Sequence, residues 1–135
     1  MMCVPLVAQE NRHEKIKALK RAHITETLSL SPSEAEKFWP IYNVYEEQMD
    51  VLKRSERKEL RIFKDQTLDA MTDAEANALM DKIMEIKSSE VRHRYDLITN
   101  LRKVLPPKKI ILLKKAEDDF KRQLLKQIRQ RKGKK

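Results

Sequence analysis

The chain has 135 residues, with one glycine, 38% charged and 5% aromatic side chains. So little glycine excludes a turn-rich β fold and any glycine-rich phosphate loop, because both need backbone without a Cβ. The net charge of +9 belongs to residues 108–135, which hold 12 Lys+Arg against 3 Asp+Glu, while residues 1–107 balance at 18 of each.

Apolar residues this sparse must form narrow stripes on helices, so the sequence predicts an all-α protein. It opens with "MMCVPLVAQ", an apolar run too short to cross a bilayer. The run looks like the end of a secretory signal cut after Ala8, although it has no basic leading segment and its apolar core is short. Residues 1–8 are therefore expected to be a signal-peptide remnant, with an ordinary disordered N-terminus as the alternative. A single helical domain is expected over 9–131, followed by a basic disordered tail at 132–135. Cys3 is the only cysteine, so no internal disulfide forms.

A first helix is predicted from about Gln9 to Leu28, with Ile16, Leu19, His23 and Thr27 at three- and four-residue steps and Ile24 and Leu28 beside them. A second begins with Ser31 as N-cap, Pro32 in the first helical position and Glu34 closing a capping box. Its stripe is Phe38, Ile41/Tyr42, Tyr45, Met49, Leu52, Leu60 and Phe63, interrupted by the charged segment "KRSERKELR" (53–61). Pro40 falls inside this helix, removes the N–H that would bond the Glu36 carbonyl, and predicts a kink costing about 3 kcal/mol or more unless packing compensates. Trp39 and Phe38 would cover the elbow.

The third helix repeats the opening, with Thr72 as cap, Asp73 in the first turn and Glu75 closing the box. Its stripe is Leu79, Ile83, Ile86, Glu90, His93, Leu97, Leu101 and Val104, ending at "LPP" (105–107). Pro107 can open the fourth helix, with Ile110, Leu113, Phe120, Leu124 and Ile128 as its stripe. Helices two and three are each about 45–50 Å long at 1.5 Å per residue. Rods of that length joined by short connections form an extended antiparallel hairpin, and a second copy is the simplest cover for the stripe left open.

The boxes "LSPSEAEKFW" (30–39) and "MTDAEANALM" (71–80) resemble the paired LTxxQ signatures of the Spy/CpxP family of periplasmic proteins. "AEKFWPIYNVYEEQ" and "VLPPKKIILLKKAEDDFKRQLLKQIRQR" are similar to a Bacteroidetes branch described as sensors of extracytoplasmic-function sigma factors. The likeness extends over residues 10–131. The family's glutamines are replaced by Glu34 and Glu75, its leucine once by Met71 and its threonine once by Ser31. Glutamate closes a capping box as well as glutamine does, so the fold is unaffected. The resemblance implies a long-helix hairpin dimerising into a thin, curved cradle. Such a cradle would bind unfolded proteins without ATP, or report envelope stress to a regulator.

Few residues suggest chemistry. His13, His23 and His93 are scattered, His93 lies between Arg92 and Arg94, and only His23 with Glu26 or His13 with Glu10 has one-turn spacing. No metal site is expected, since one needs three or four converging ligands. No catalytic arrangement, cofactor or small-molecule substrate is expected either. The carboxylates of "AEDDF" (116–120) have Lys114, Lys115, Lys121 and Arg122 within pairing distance along a helix. Met49, Met80 and Met84 fall on or beside the stripes, as core filler or as an adaptable binding face. The candidate polypeptide-binding residues are Trp39, Tyr42, Lys108, Lys109, Lys114, Lys115, Lys121 and Arg122. Positive charge beside apolar side chains would speed encounter with acidic unfolded chains and retain them.

Three functions remain open. The first is a periplasmic, homodimeric, ATP-independent chaperone or stress sensor. The second is a regulatory module for an anti-sigma factor or another membrane-anchored regulator. The third is a cytoplasmic basic protein binding nucleic acid through the fourth helix.

Overall fold

The computed structural model describes residues 4–64 and 68–133, with side chains at 12–61 and 68–132. Among the described residues every regular element is an α-helix: α1 (Val4–Leu28), α2 (Pro32–Lys64), α3 (Asp73–Leu101) and α4 (Pro107–Gly133). The all-α class expected from composition is the class observed. Helix α1 begins five residues before Gln9, and α4 continues through Lys132. Cys3, Lys134 and Lys135 lie outside the described residues, as do the side chains of Glu10 and Phe63.

Both capping boxes are formed. The Ser31 N–H donates to Glu34 Oε1 at 3.0 Å, and the Glu34 N–H donates to Ser31 Oγ at 3.1 Å. Thr72 and Glu75 make the same pair of bonds at 3.0 and 3.1 Å. Each box satisfies two N–H groups that the first helical turn cannot pair internally. Bonding from the Thr72 backbone N–H also holds the Glu75 carboxyl below the ordinary glutamate range.

Helix α1 ends in a Schellman turn. Ser29 takes a left-handed φ of 49°, its N–H donates to the Glu26 carbonyl, and the Leu30 N–H donates to the Thr25 carbonyl, both at 3.2 Å. Helix α3 stops at Leu101, three residues before the expected Val104. The N–H groups of Lys103 and Val104 donate to the carbonyls of Asn100 and Leu101, a tightening that three-residue bonds produce where Pro106 blocks further helix. The Pro106 carbonyl then accepts the first bonds of α4, from Lys109 and Ile110, so Pro107 is the first helical residue as the sequence predicted.

The chain divides into two compact units, Met1–Ala35 with Leu105–Lys135, and Glu36–Val104. In the first, α1 packs on α4 around buried Ile24, Leu28, Leu105, Leu113 and Ala116. Each large aliphatic side chain buried this way stabilises by about 1.5–3 kcal/mol. His23 faces Phe120 at 6.0 Å between ring centroids and Ser29 meets Lys109, so rising number on α1 matches falling number on α4. Two stripe assignments need correction. Leu19 is 51% exposed, and Ile128 is also exposed, whereas Ala116, too small to register as a stripe residue, is buried.

In the second unit the buried residues are Phe38, Tyr42, Ile86, Leu97 and Leu101. Phe38 stacks on Tyr42 at 5.3 Å, and Trp39 meets both rings edge-on at 4.7 and 5.8 Å. Arg94 Nη1 donates to the Tyr45 hydroxyl at 3.4 Å, and Lys87 donates to Glu56 at 3.1 Å. Here too the pairing runs in opposite chain sense, α2 against α3. The Glu56 carboxylate raises the Lys87 ammonium above the ordinary lysine range. Helix α2 passes through Pro40 without interruption.

Candidate functional site

Helix α4 carries six of the eight candidate contact residues, and its charge layout is unusual for a helix. Lys108 and Lys109 lie in its first turn, which holds no acidic residue. Cations there oppose the positive end of the helix dipole. For Lys109 the compensation is visible. Its ammonium donates to Glu34 Oε1 at 2.6 Å and to the Ser29 carbonyl at 2.9 Å. One side chain thus ties the left-handed end of α1 to the capping box that starts α2. The Lys109 hydrogen bond, followed by the Ser31 N–H, holds the Glu34 carboxyl below the ordinary glutamate range.

The middle of α4 is paired along its own surface, as the spacing around "AEDDF" suggested. Lys114 donates to Asp118 at 3.1 Å and Lys115 to Asp119 at 3.3 Å, and Arg122 also donates to Asp119. Lys115, with Arg122 assisting, holds the Asp119 carboxyl below the ordinary aspartate range. Exposed pairs of this kind are weak because water screens them, so a charged partner can exchange with them at little cost. Lys108 and Lys121 are exposed, and no ion pair is found for either among the described residues.

Apolar side chains share this surface. Ile111 is 72% exposed, and Leu125 and Ile128 are exposed further along. At about 100° per residue, Lys108, Lys115 and Arg122 fall within roughly 60° of Ile111 on the helix circumference.

The two aromatic candidates lie on α2. Trp39 is half-buried beside Phe38, whereas Tyr42 is fully buried. Tyr42 is thus a core residue and cannot touch a partner in this conformation, a correction that follows from its position between Phe38 and Tyr45. Nearby, a cleft of about 410 Å³ runs along α2 and α3, lined by Ile41, Tyr45, Gln48, His93 and Asn100 among others. His93 Nδ1 is buried and finds no hydrogen-bond partner among the described residues, and the same holds for His23 Nε2.

Among the described residues no three His, Cys, Asp or Glu side chains converge as a metal site would require. No described helix is long and apolar enough to cross a membrane. Of Met49, Met80 and Met84, only Met49 is half-buried as core filler would be. Met80 and Met84 are exposed, in line with Val91 and Tyr95 on one side of α3.

The segment 53–61, read from the sequence as a charged interruption of the α2 stripe, also presents a second basic surface. Arg54, Arg57, Lys58 and Arg61 are all exposed and line a recess of about 680 Å³ on α2. Their spacing of three, four and seven was legible, but the charge balance of residues 1–107 concealed it. Comparison of the chain with protein-family models, curated proteins and solved structures finds no match.

Proposed function

We propose that the chain is a non-enzymatic binding protein of the bacterial envelope. It takes hold of unfolded or regulatory polypeptides along the basic and apolar face of α4, as an ATP-independent chaperone or a stress sensor. The observation that carries this reading is the exposure of Ile111 among Lys108, Lys115 and Arg122. A solvent-facing isoleucine among cations suits capture of chains that are both acidic and apolar. Periplasmic location follows from the resemblance of the two capping boxes and the FWPIYN segment. A homodimer is part of the proposal, supported by the exposed line Met80, Met84, Val91 and Tyr95 on α3. Sedimentation equilibrium should give twice the 16.0 kDa chain mass.

The experiment is suppression of aggregation of a chemically denatured client. Equimolar protein should suppress light scattering at low salt, less so at high salt, and Ile111→Ser with Leu125→Ser should abolish the effect. If excess protein leaves scattering unchanged at low salt, the chaperone form fails. Capture of one specific partner by crosslinking would then favour the sensor form. Nucleic acid is the second reading, supported by the exposed run Lys126, Arg129, Arg131 and Lys132 at the end of α4. It requires an affinity for DNA or RNA that falls steeply with salt and disappears when residues 126–135 are removed.

A further inference from the structure

The basic recess on α2 lies outside the surface just described. Arg54, Arg57, Lys58 and Arg61 occupy an arc of about 100° and a length of about 10 Å on one side of the helix. All four are exposed. The glutamates of the same segment, Glu56 and Glu59, fall on the other side, and Glu56 already accepts from Lys87 at 3.1 Å. Glu47 and Asp50 share the cationic side but lie two turns and one turn earlier, respectively, and they mark where the basic patch begins. Leu60 lines the recess, and Val51, 54% exposed, lies about 60° from the centre of the patch.

We propose that this patch is a docking surface for an anionic membrane, with the lipid phosphates as its ligands. Three of the four cations are arginines, whose planar guanidinium groups bind phosphate oxygens in pairs. They form a broad array rather than a single file, which matches the plane of charge on a bilayer better than the line of charge on a polynucleotide or an acidic peptide. Among the described residues no aromatic side chain lines the recess to stack a base. Val51 beside the cations is placed to enter the boundary between headgroups and acyl chains, as apolar residues of surface-lying helices do. Clusters of four or more Lys and Arg on one helix face bind anionic leaflets in this way.

The test is cosedimentation of the full chain with phosphatidylcholine vesicles, with and without about one-third phosphatidylglycerol. Wild type should bind only the anionic vesicles, and high salt should release it. The R54Q/R57Q/K58Q/R61Q variant should lose several hundredfold in affinity, on the order of fivefold per cation. Glutamine is a good helix former, and circular dichroism would verify that the helices persist. The charge-preserving R54K/R57K/R61K variant should retain most of the binding. Removing the same charge from α4, by K126Q/R129Q/R131Q/K132Q, should cost less than about fivefold. Equal losses from the two quadruple variants would reduce the effect to net charge and overturn the proposal. Indifference of the wild type to phosphatidylglycerol would do the same. Displacement by millimolar inorganic phosphate would assign the recess to the free ion. Polyglutamate binding that needs the four α2 cations, without vesicle binding, would assign it to acidic polypeptides.

Discussion

Ser29 is the one described non-glycine residue with a positive φ, and it stands where a glycine normally ends a helix. A side chain in the left-handed region costs about 1–2 kcal/mol relative to glycine, part of which glycine returns through its freer unfolded chain. Ser29→Gly should therefore stabilise the protein by about 0.5–1 kcal/mol in urea unfolding. The sequence placed the end of α1 at Leu28, as observed, but nothing in it marks Ser29 for the left-handed region, which glycine usually occupies. The Lys109 clamp was equally illegible, since it joins residues 75 and 80 positions apart. Its signature is electrostatic. A carboxyl held below its ordinary range contributes stability above that range and loses it as the pH falls through the lowered value. Lys109→Met should therefore raise the Glu34 titration toward the ordinary glutamate range and flatten the acid dependence of unfolding. Carboxyl-carbon NMR reads the first and pH-dependent urea titration the second. An unmoved Glu34 titration would show that the Ser31 N–H alone depresses it.

The helices themselves were legible because their signals are local. Caps at Ser31 and Thr72 and the proline at the head of α4 each follow from a few adjacent residues, and each is observed where the sequence placed it. As far as Leu101 the α3 stripe was also read correctly, with Ile86, Leu97 and Leu101 buried and Glu90 and His93 half-buried among them. Errors arose where periodicity had to decide between two sides of a weakly amphipathic helix. Leu19 satisfies the three-and-four spacing yet is exposed, because α1 turns Ile24 and Leu28 toward α4. Ala116 was overlooked because small residues carry little hydrophobic signal, although it is fully buried where α4 packs on α1. Pro40 is the remaining oddity. It leaves the Glu36 carbonyl without its usual donor inside a continuous helix, immediately after the aromatic pair Phe38 and Trp39.

The two compact units meet in sequence twice, at Ala35 and Glu36 within the first turn of α2 and at Val104 and Leu105 in the connection before α4. The second boundary coincides with the "LPP" stop, whereas no pattern in the sequence announces the first, because it falls inside a helix rather than in a linker. Each unit has its own buried set, so damage to one core should be felt first in that unit. Leu113→Ala removes a side chain that is 1% exposed and should weaken the α1–α4 unit by about 2–5 kcal/mol. The only tryptophan, Trp39, lies in the other unit, against Phe38 and Tyr42. That placement gives the molecule a built-in optical reporter that sees half of it. Emission excited at the red edge of the indole band follows the α2–α3 unit, while far-ultraviolet dichroism sums all four helices. In the Leu113→Ala protein the dichroism melt should gain an early phase that tryptophan emission does not register. Coincident melts by both probes would mean that the two cores unfold as one. The same indole also tells the basic recess from the aromatic cluster, since the recess does not contain it. A vesicle docked on Arg54–Arg61, in the same unit but about four turns further along α2, should leave its colour unchanged, whereas anything entering beside Phe38 should not.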